Sequence, residues 1–343
     1  MRVKDMTLEE LEEQDRQLHS HEIEESLLYQ QKIEIYKAMH HKVRQLVVRK
    51  QEDRSYLDSI TERLVFNLVH YGTFLKMADQ KVEQVAVPSL EKALSYDPYN
   101  PIAAYRLGFL YYRSGNFINS VKYFQKAITS ERFNKNKKMA LTDRQKLNAQ
   151  LYLTNSALHI AKTSQENLAK FPADQVVQLP GYEFSSLFDS ISANDAYLSS
   201  HAFYKETELG KTTCSKRHCE KLAMDNPRDT IVLYFGDVET SLNFNGKATT
   251  LSKRLSDVLR LLLTSSSVST PANTNDVKEC FGDLHFDEEV QWPSYRQAVS
   301  RVRQALKSCG VPDVIKTAVN QQDYYFNGSI PYIVFYRVDD ETE

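Results

Sequence analysis

The amino-acid sequence predicts a mostly α-helical chain with a C-terminal α+β domain. Glycine and proline number only 10 each among 343 residues, so long loops should be few and helices many. An internal repeat with a spacing of 34 residues lies in the first half of the chain. From about residue 230 the sequence becomes rich in β-branched and aromatic residues. A chain of this length predicts two or three domains.

Composition and charge limit the classes of function that this protein can have. The formal net charge is −2, so any nucleic-acid binding must come from a local basic patch. No apolar run reaches the length of a membrane span, and the stretch MRVKDMTLEELEEQ lacks a signal-peptide core. We therefore expect a cytoplasmic protein without a membrane partner. Four cysteines are too few for a disulfide framework at this length.

Residues 1–56 are predicted to form an N-terminal helical segment. Thr7 and Glu10 have the spacing of a capping box, which marks the start of a helix. Further along, apolar residues fall on one helix face: Leu28, Ile35, Met39, Val43 and Leu46. Because no heptad is sustained, we favour a helical hairpin packed on the next segment over a long coiled coil.

Residues 57–209 are predicted to form a helical repeat domain. Three residue pairs are 34 positions apart: Ala86 and Ser120, Leu90 and Phe124, and Ala93 and Ala127. Residues between them have the spacing of the first helix and turn of a tetratricopeptide repeat: Leu107, Gly108, Tyr111, Gly115 and Phe117. The region resembles the tetratricopeptide family over about 80 residues, although Ala104 and Arg132 replace its usual Trp and Pro. This resemblance implies an α-solenoid in which Gly108 permits close helix approach and flanking helices continue the stack.

The same resemblance implies a groove that binds a protein or peptide partner. Its concave face would carry five residues: Ile102, Tyr105, Phe109, Tyr112 and Arg113. Aromatic side chains beside an arginine suit an extended peptide and its carboxylate. Packing of these side chains against a neighbouring helix is an equally good interpretation. The domain is also a candidate for homodimerisation.

Residues 210–228 are interpreted as a linker or a short helix. Its CSKRHC stretch brings Cys214, His218 and Cys219 together, but the spacing is wrong for zinc and a fourth ligand is missing. We therefore expect ordinary thiols and no metal. The chain contains no Gly-rich phosphate loop, nucleophile elbow or His-Glu-x-x-His motif. We expect no catalytic residues and no cofactor, and hence a protein that is not an enzyme.

Residues 229–343 are predicted to contain a sheet, three helices and a β-hairpin. Strands are indicated at TIVLYFG, VETSLNFNG and KATTL, each bounded by Gly or Asn or by polar residues. Helices follow in LSKRLSDVLRLLLTSS, TNDVKECFG and PSYRQAVSRVRQALKSCG. VIKTAVNQQDYYFNG then predicts a hairpin, and IPYIVFYRV a last strand. This order is that of a winged helix-turn-helix, whose third helix enters the major groove of DNA.

The third of these helices has a core-facing seam and a polar face without a carboxylate. The seam consists of Tyr295, Val299, Val302, Leu306 and Cys309. Arg and Gln side chains suit both base edges and phosphates. We therefore predict a DNA-binding role for the residues of the polar face: Arg296, Gln297, Ser300, Arg301, Arg303, Gln304 and Lys307.

The C-terminal segment resembles the effector domain of OmpR/PhoB-type response regulators over about 110 residues. Residues 299–306, VSRVRQAL, are similar to the family's recognition-helix signature ISRLRRxL, and residues 314–327 are similar to its wing, YIxTVxGxGYxF. The resemblance implies that Arg301 and Arg303 face DNA. It also places Lys316 and Thr317 at the base of the wing, as DNA-binding residues, and Tyr324 as its closing aromatic.

Two features depart from that family. The wing glycines are replaced within residues 320–323. Residues 229–343 also carry 11 Lys and Arg against 16 Asp and Glu, with acids concentrated in 283–289 and 339–343. We expect a bacterial, sequence-specific transcription regulator that binds double-stranded DNA. The alternative is a non-enzymatic scaffold whose winged helix contacts protein rather than DNA.

Overall fold

The structure is a computed structural model that forms two compact units. It describes residues 3–20, 25–77, 83–134, 136, 139–168, 170, 186–225, 227–236, 239–281, 290–319 and 322–338. The boundary between the units falls between Tyr197 and Leu198. Across these residues, no helix combines the length and the apolar character needed to cross a bilayer.

The N-terminal unit is helical throughout its described regular structure. Its helices are α1 (Leu8–Ser20), α2 (Glu25–Val48), α3 (Arg54–Met77), α4 (Glu83–Tyr96), α5 (Pro101–Arg113), α6 (Phe117–Ser130) and α7 (Asp143–Leu168). Helix α8 (Ile191–Ser200) spans the boundary. The capping box is confirmed: the Thr7 backbone N–H donates to a Glu10 carboxylate oxygen at 2.7 Å, and the Glu10 N–H donates to the Thr7 hydroxyl at 3.2 Å.

Helices of this unit pack mainly on their neighbours in sequence. Helix α1 packs on α2 and α2 on α3, which confirms the predicted hairpin. Helix α3 then packs on α4, α5 on α6, and α6 on α7. Helix α5 also contacts α3 and α7, so the first helices of successive pairs lie side by side. The unit is therefore a serial array of helix pairs.

Two glycines set the spacing within these pairs. A Cβ atom at Gly108 of α5 would lie 2.8 Å from the ring of Phe124 of α6. A Cβ at Gly72 of α3 would likewise lie 2.7 Å from Cγ of Leu90 of α4. Leu90 and Phe124 are one of the sequence pairs separated by 34 residues. The pairs α3–α4 and α5–α6 therefore share the same close contact, as the repeat predicts.

The C-terminal unit is built on a six-stranded sheet. Its strands are β1 (Phe203–Thr207), β2 (Gly210–Cys214), β3 (Ile231–Phe235), β4 (Thr240–Phe244), β5 (Lys247–Leu251) and β8 (Tyr332–Arg337), in the order β2-β1-β8-β3-β4-β5. All neighbours are antiparallel except β3 and β8, which are parallel. The coarse prediction of a helical region followed by an α+β domain is thus confirmed.

The predicted linker at residues 210–228 is wrong, because those residues form part of this unit. They contain strand β2 and helix α9 (Lys216–Asp225). Residues 203–207, which we placed in the repeat domain, form β1 and pair with both β2 and β8. The backbone hydrogen bonds of β1 are satisfied by β8, so the sheet extends well before residue 229.

The sheet is covered on both faces. Helices α10 (Lys253–Ser265) and α11 (Trp292–Ser308) pack on one face, over core residues such as Leu233, Leu242 and Val334. The opposite face carries a smaller core of Phe203, Cys214, Cys219, Val232 and Phe335, and α9 supplies Cys219. Alternate residues of β3 and β8 therefore point into different cores.

A β-hairpin follows α11, as predicted. Strands β6 (Ile315–Thr317) and β7 (Tyr324–Phe326) pair antiparallel, and Ala272 extends this small sheet through backbone hydrogen bonds of 2.8 and 3.0 Å with Tyr324. The helix expected in TNDVKECFG appears as a short 3-10 helix, Lys278–Phe281.

Candidate nucleic-acid interface

The ends of α11 follow from its sequence. Pro293 stands in the first turn, where a missing backbone N–H costs no helical hydrogen bond. Gly310 has φ +83° directly after the helix, and the Gly310 and Val311 N–H groups donate to the carbonyls of Lys307 and Leu306. This left-handed glycine closes the helix and turns the chain towards the hairpin.

The inner face of α11 is the predicted seam. Its buried residues are Tyr295, Ala298, Val299, Val302 and Leu306, which belong to the same core as the buried side of α10. The Tyr295 hydroxyl donates to the Ala272 carbonyl at 3.1 Å, and its ring meets Tyr324 edge-on at 5.1 Å. Burial raises the pKa of the Tyr295 phenol. Tyr324 of the hairpin therefore packs on the helix.

The outer face of α11 is basic and polar. Arg296, Gln297, Ser300, Gln304 and Lys307 are exposed, and Arg301 is partly exposed. We call these six residues the basic face. Helix α11 contains no Asp or Glu between Trp292 and Ser308, so no carboxylate on the helix itself reduces the positive potential along this face.

The Arg303 side chain is bonded to the hairpin, whereas we expected it to face DNA. Its Nε donates to the Ile315 carbonyl at 3.0 Å, and a terminal nitrogen donates to the Thr317 hydroxyl at 3.0 Å. The guanidinium also lies 5.3 Å from the ring centroid of Tyr324. Both predicted DNA contacts, Arg303 and Thr317, are engaged with each other. The structure therefore supports a positioning role for Arg303, because a planar guanidinium can join a helix to a strand edge through two bonds.

Trp292 supplies a second connection between α11 and the hairpin segment. Its indole N–H donates to the Gln322 carbonyl at 3.1 Å, and the Arg296 guanidinium lies 5.3 Å from its ring centroid. Trp292 was not among the residues predicted for the interface. Two features of the sequence could have indicated it: it is the single tryptophan of the chain, and it stands beside the helix-starting proline.

Lys316 forms an ion pair with Asp313 at 2.6 Å, with side-chain exposures of 39% and 68%. An exposed pair of this kind is worth little, so Lys316 can exchange Asp313 for a phosphate at small cost. The acidic segments 283–289 and 339–343, and residues 320–321 of the wing, lie outside the described residues.

Lys247 adds a basic residue that the sequence did not indicate. It follows the β4–β5 turn, where Asn245 and Gly246 have φ of 46° and 81°. Its ammonium would lie 3.7 Å from a Cβ built at Gly310, so it stands at the C-terminal end of α11. The two residues are far apart in sequence, and only the fold brings them together.

The prediction of a peptide groove on α5 is wrong for most of the residues assigned to it. Ile102 is 5% exposed and Tyr105 0% exposed, so both are core residues. The ring centroids of Phe109 and Tyr152 of α7 are 4.3 Å apart, and those of Tyr112 and Tyr152 are 4.8 Å apart. Helix α7 covers the face of α5 that the repeat pattern assigned to a ligand, which agrees with the packing interpretation. Arg113, the fifth residue of the set, is partly exposed.

The hydroxyl of Tyr112 joins a polar cluster next to this packing. It donates to the Asp195 carboxylate and accepts from the Asn155 amide at 2.5 Å. His159 lies 3.3 Å from Asp195, and its ring stacks on Phe117 at 3.9 Å. Burial is the main cause that raises the pKa of Tyr112. The cluster therefore holds α5, α7 and Asp195 together.

Comparisons with protein-family models, with curated proteins and with solved structures find no match for this chain.

Proposed function

We propose that the C-terminal unit is a winged-helix DNA-binding domain and that α11 is its recognition helix. The observation that carries this proposal is the basic face, whose Arg, Lys, Gln and Ser side chains project from a helix without a carboxylate. Arg and Gln can pair with base edges in two-bond geometries, and Lys and Ser can contact phosphates. A generic solvated helix usually mixes acids with bases.

The hairpin strengthens this interpretation. Strands β6 and β7 follow α11 directly, as the wing follows the third helix in winged-helix domains. Arg303 attaches the first hairpin strand to α11, and Trp292 attaches Gln322 beside the wing loop. The helix and the hairpin are thus presented as one unit, which lowers the conformational entropy lost on binding a duplex.

The test is DNA binding by the full chain. DNA selected from a random library is titrated with wild type, the double variant Arg296→Ala/Lys307→Ala and the charge-matched control Arg217→Ala/Lys221→Ala. Arg217 and Lys221 are exposed on α9, which packs on the opposite face of the sheet. The double variant should bind weakly and reduce the salt-dependence slope by about two, because two phosphate contacts are lost. An equal effect of Arg217→Ala/Lys221→Ala would show that only net charge matters.

A protein-binding scaffold is the second candidate function. Residues 229–343 contain 16 acidic and 11 basic residues, and this net negative charge repels a duplex. The charge therefore favours the scaffold. If wild type prefers no DNA sequence over random DNA at low salt, the scaffold function is favoured and the recognition-helix proposal fails.

The N-terminal unit is proposed to be a tetratricopeptide-like solenoid that binds a partner or dimerises the chain. The contacts Gly72–Leu90 and Gly108–Phe124 support the repeat, since both pairs use the same close approach. A dimer would present two α11 helices to adjacent half-sites and so offset the negative net charge of the C-terminal domain. Sedimentation equilibrium of the full chain should reveal a dimer on selected DNA, and a one-to-one complex would contradict it.

A further inference from the structure

A pair of cysteines lies at the junction of β2 and α9, away from the basic face. Cys214 is the last residue of β2, and Cys219 lies in the first turns of α9. Their sulfur atoms are 2.6 Å apart. A disulfide bond measures about 2.05 Å, so the two sulfurs lie close to bonding distance. The fold therefore brings the two thiols together.

The surroundings of the pair fix this arrangement. Cys214 pairs across the sheet with Phe203, and both sulfurs belong to the small core formed with Phe203, Val232 and Phe335. The Cys219 backbone N–H donates to the Ser215 carbonyl at 3.1 Å, which sets the start of α9. Because the strand and the helix are separately anchored, the sulfurs meet through the fold and not through side-chain flexibility.

We propose that Cys214 and Cys219 form a reversible disulfide, which makes this junction an oxidation site of the C-terminal unit. Exchange between the dithiol and the disulfide suits a pair whose sulfur atoms already lie this close together. The cross-link would tie β2, the edge strand of the sheet, to the helix that covers the second core.

The environment assigns different roles to the two thiols. Cys214 is 8% exposed and Cys219 is 0% exposed, so an incoming oxidant reaches Cys214 first. The hydrogen bond from Cys219 lowers the pKa of Cys214, and Lys205 acts in the same direction. Donation to Cys214 and burial raise the pKa of Cys219. Since the thiolate is the attacking species, Cys214 is the nucleophile and Cys219 the resolving thiol.

The chemistry balances with a small-molecule disulfide as the oxidant. The Cys214 thiolate attacks one sulfur of that disulfide, a mixed disulfide forms, and a small thiolate leaves. Cys219 then loses its proton to solvent and attacks the Cys214 sulfur, which expels the second small thiolate. Two protein thiols are oxidised, and one external disulfide is reduced to two thiols.

The test uses the folded full chain with oxidised glutathione. Lys216 and Arg217 separate the two cysteines, so trypsin cleaves the oxidised protein into peptides 212–216 and 218–221 joined by one disulfide. Mass spectrometry should detect this linked pair, and dithiothreitol should separate it. Thiol titration should fall from four to two. Stable glutathione adducts on wild-type Cys214 without the linked pair would overturn the proposal.

Single variants test the roles, with Cys280→Ser as the control. Cys219→Ser should accumulate a glutathione adduct on Cys214, because the resolving thiol is missing. Cys214→Ser should leave Cys219 reduced, whereas Cys280→Ser should still give the linked peptides. An adduct on Cys219 that forms as fast as the one on Cys214 would contradict the assignment. Wild-type peptide mapping decides the cross-link itself even if a variant fails to fold.

Discussion

The guanidinium of Arg303 joins helix α11 to the hairpin, with one bond to the Ile315 carbonyl and one to the Thr317 hydroxyl, each 3.0 Å long. The two bonds connect the helix to the first strand of the hairpin. Both contacts engage the Arg303 side chain within the C-terminal unit.

The Arg303–Thr317 contact predicts energetic coupling. Thr317→Val and Arg303→Lys each remove the hydrogen bond between the two side chains. The free energy of unfolding should therefore fall less in the double variant than the sum of its falls in the two single variants. The coupling should be about 1 kcal/mol, the typical size for a hydrogen bond to a charged group at a partly exposed site. Urea denaturation of the four proteins measures it. Additive losses would show that the bond contributes nothing.

Arg301 and Lys307 should differ in how they affect DNA recognition. Arg301→Ala should weaken binding of the selected site by roughly 1–3 kcal/mol and relax base preference at one position. Lys307→Ala should weaken all sequences alike and reduce the salt slope by about one. Binding to a library of single-base variants separates these results. A uniform loss for Arg301→Ala would make it a backbone contact.

Gly108→Ala should destabilise the N-terminal unit by about 1–3 kcal/mol, because the added methyl group meets the Phe124 ring. The double variant Gly108→Ala/Phe124→Leu should recover part of this loss, since the smaller side chain leaves room. Thermal unfolding followed by circular dichroism measures both. Equal stability of Gly108→Ala and wild type would refute the close helix approach.

Tyr123 predicts a pH dependence at alkaline pH. Burial, together with the Glu91 carboxylate, raises the pKa of Tyr123 from 10.0 to about 12. The unfolded chain loses this proton at lower pH than the native state, so stability is complete below pH 10 and falls as pH rises towards 12. Tyr123→Phe should lose less stability than wild type between pH 9 and about 11 in urea denaturation. Identical pH profiles of the two proteins would contradict this prediction.

Local patterns predicted several contacts correctly. The tetratricopeptide-like spacing predicted a close helix approach at Gly108, which the structure places against Phe124. The 3.6-residue period separated the buried and exposed faces of α11. These features depend on neighbours within one element or one helix pair. Periodicity alone can therefore reveal them.

Features that depend on pairing between segments far apart in the chain could not be predicted from the sequence. Strand β1 pairs with β8, about 130 residues later, and β2 of the supposed linker pairs in turn with β1. No local signal in the sequence identifies β8 as that partner. The prediction of a peptide groove was wrong for a related reason. Tyr105 and Phe109 have the pattern of ligand-binding aromatics, but Tyr105 is buried against Phe109 and Phe124, and Tyr152 of α7 packs on Phe109. Lys247 and Trp292 join the interface only through tertiary contacts.

The central position of β8 has a consequence for biosynthesis. The β1–β2 hairpin and the β3–β4–β5 meander share no hydrogen-bonded edge. Strand β8 must insert between them, and it is translated long after β1. At about 5–20 residues per second, the two half-sheets wait for seconds with unpaired edges. A nascent chain in this interval exposes Val232 and Leu233 of β3 to other chains, so the rate of synthesis and chaperone binding should influence the yield of native protein.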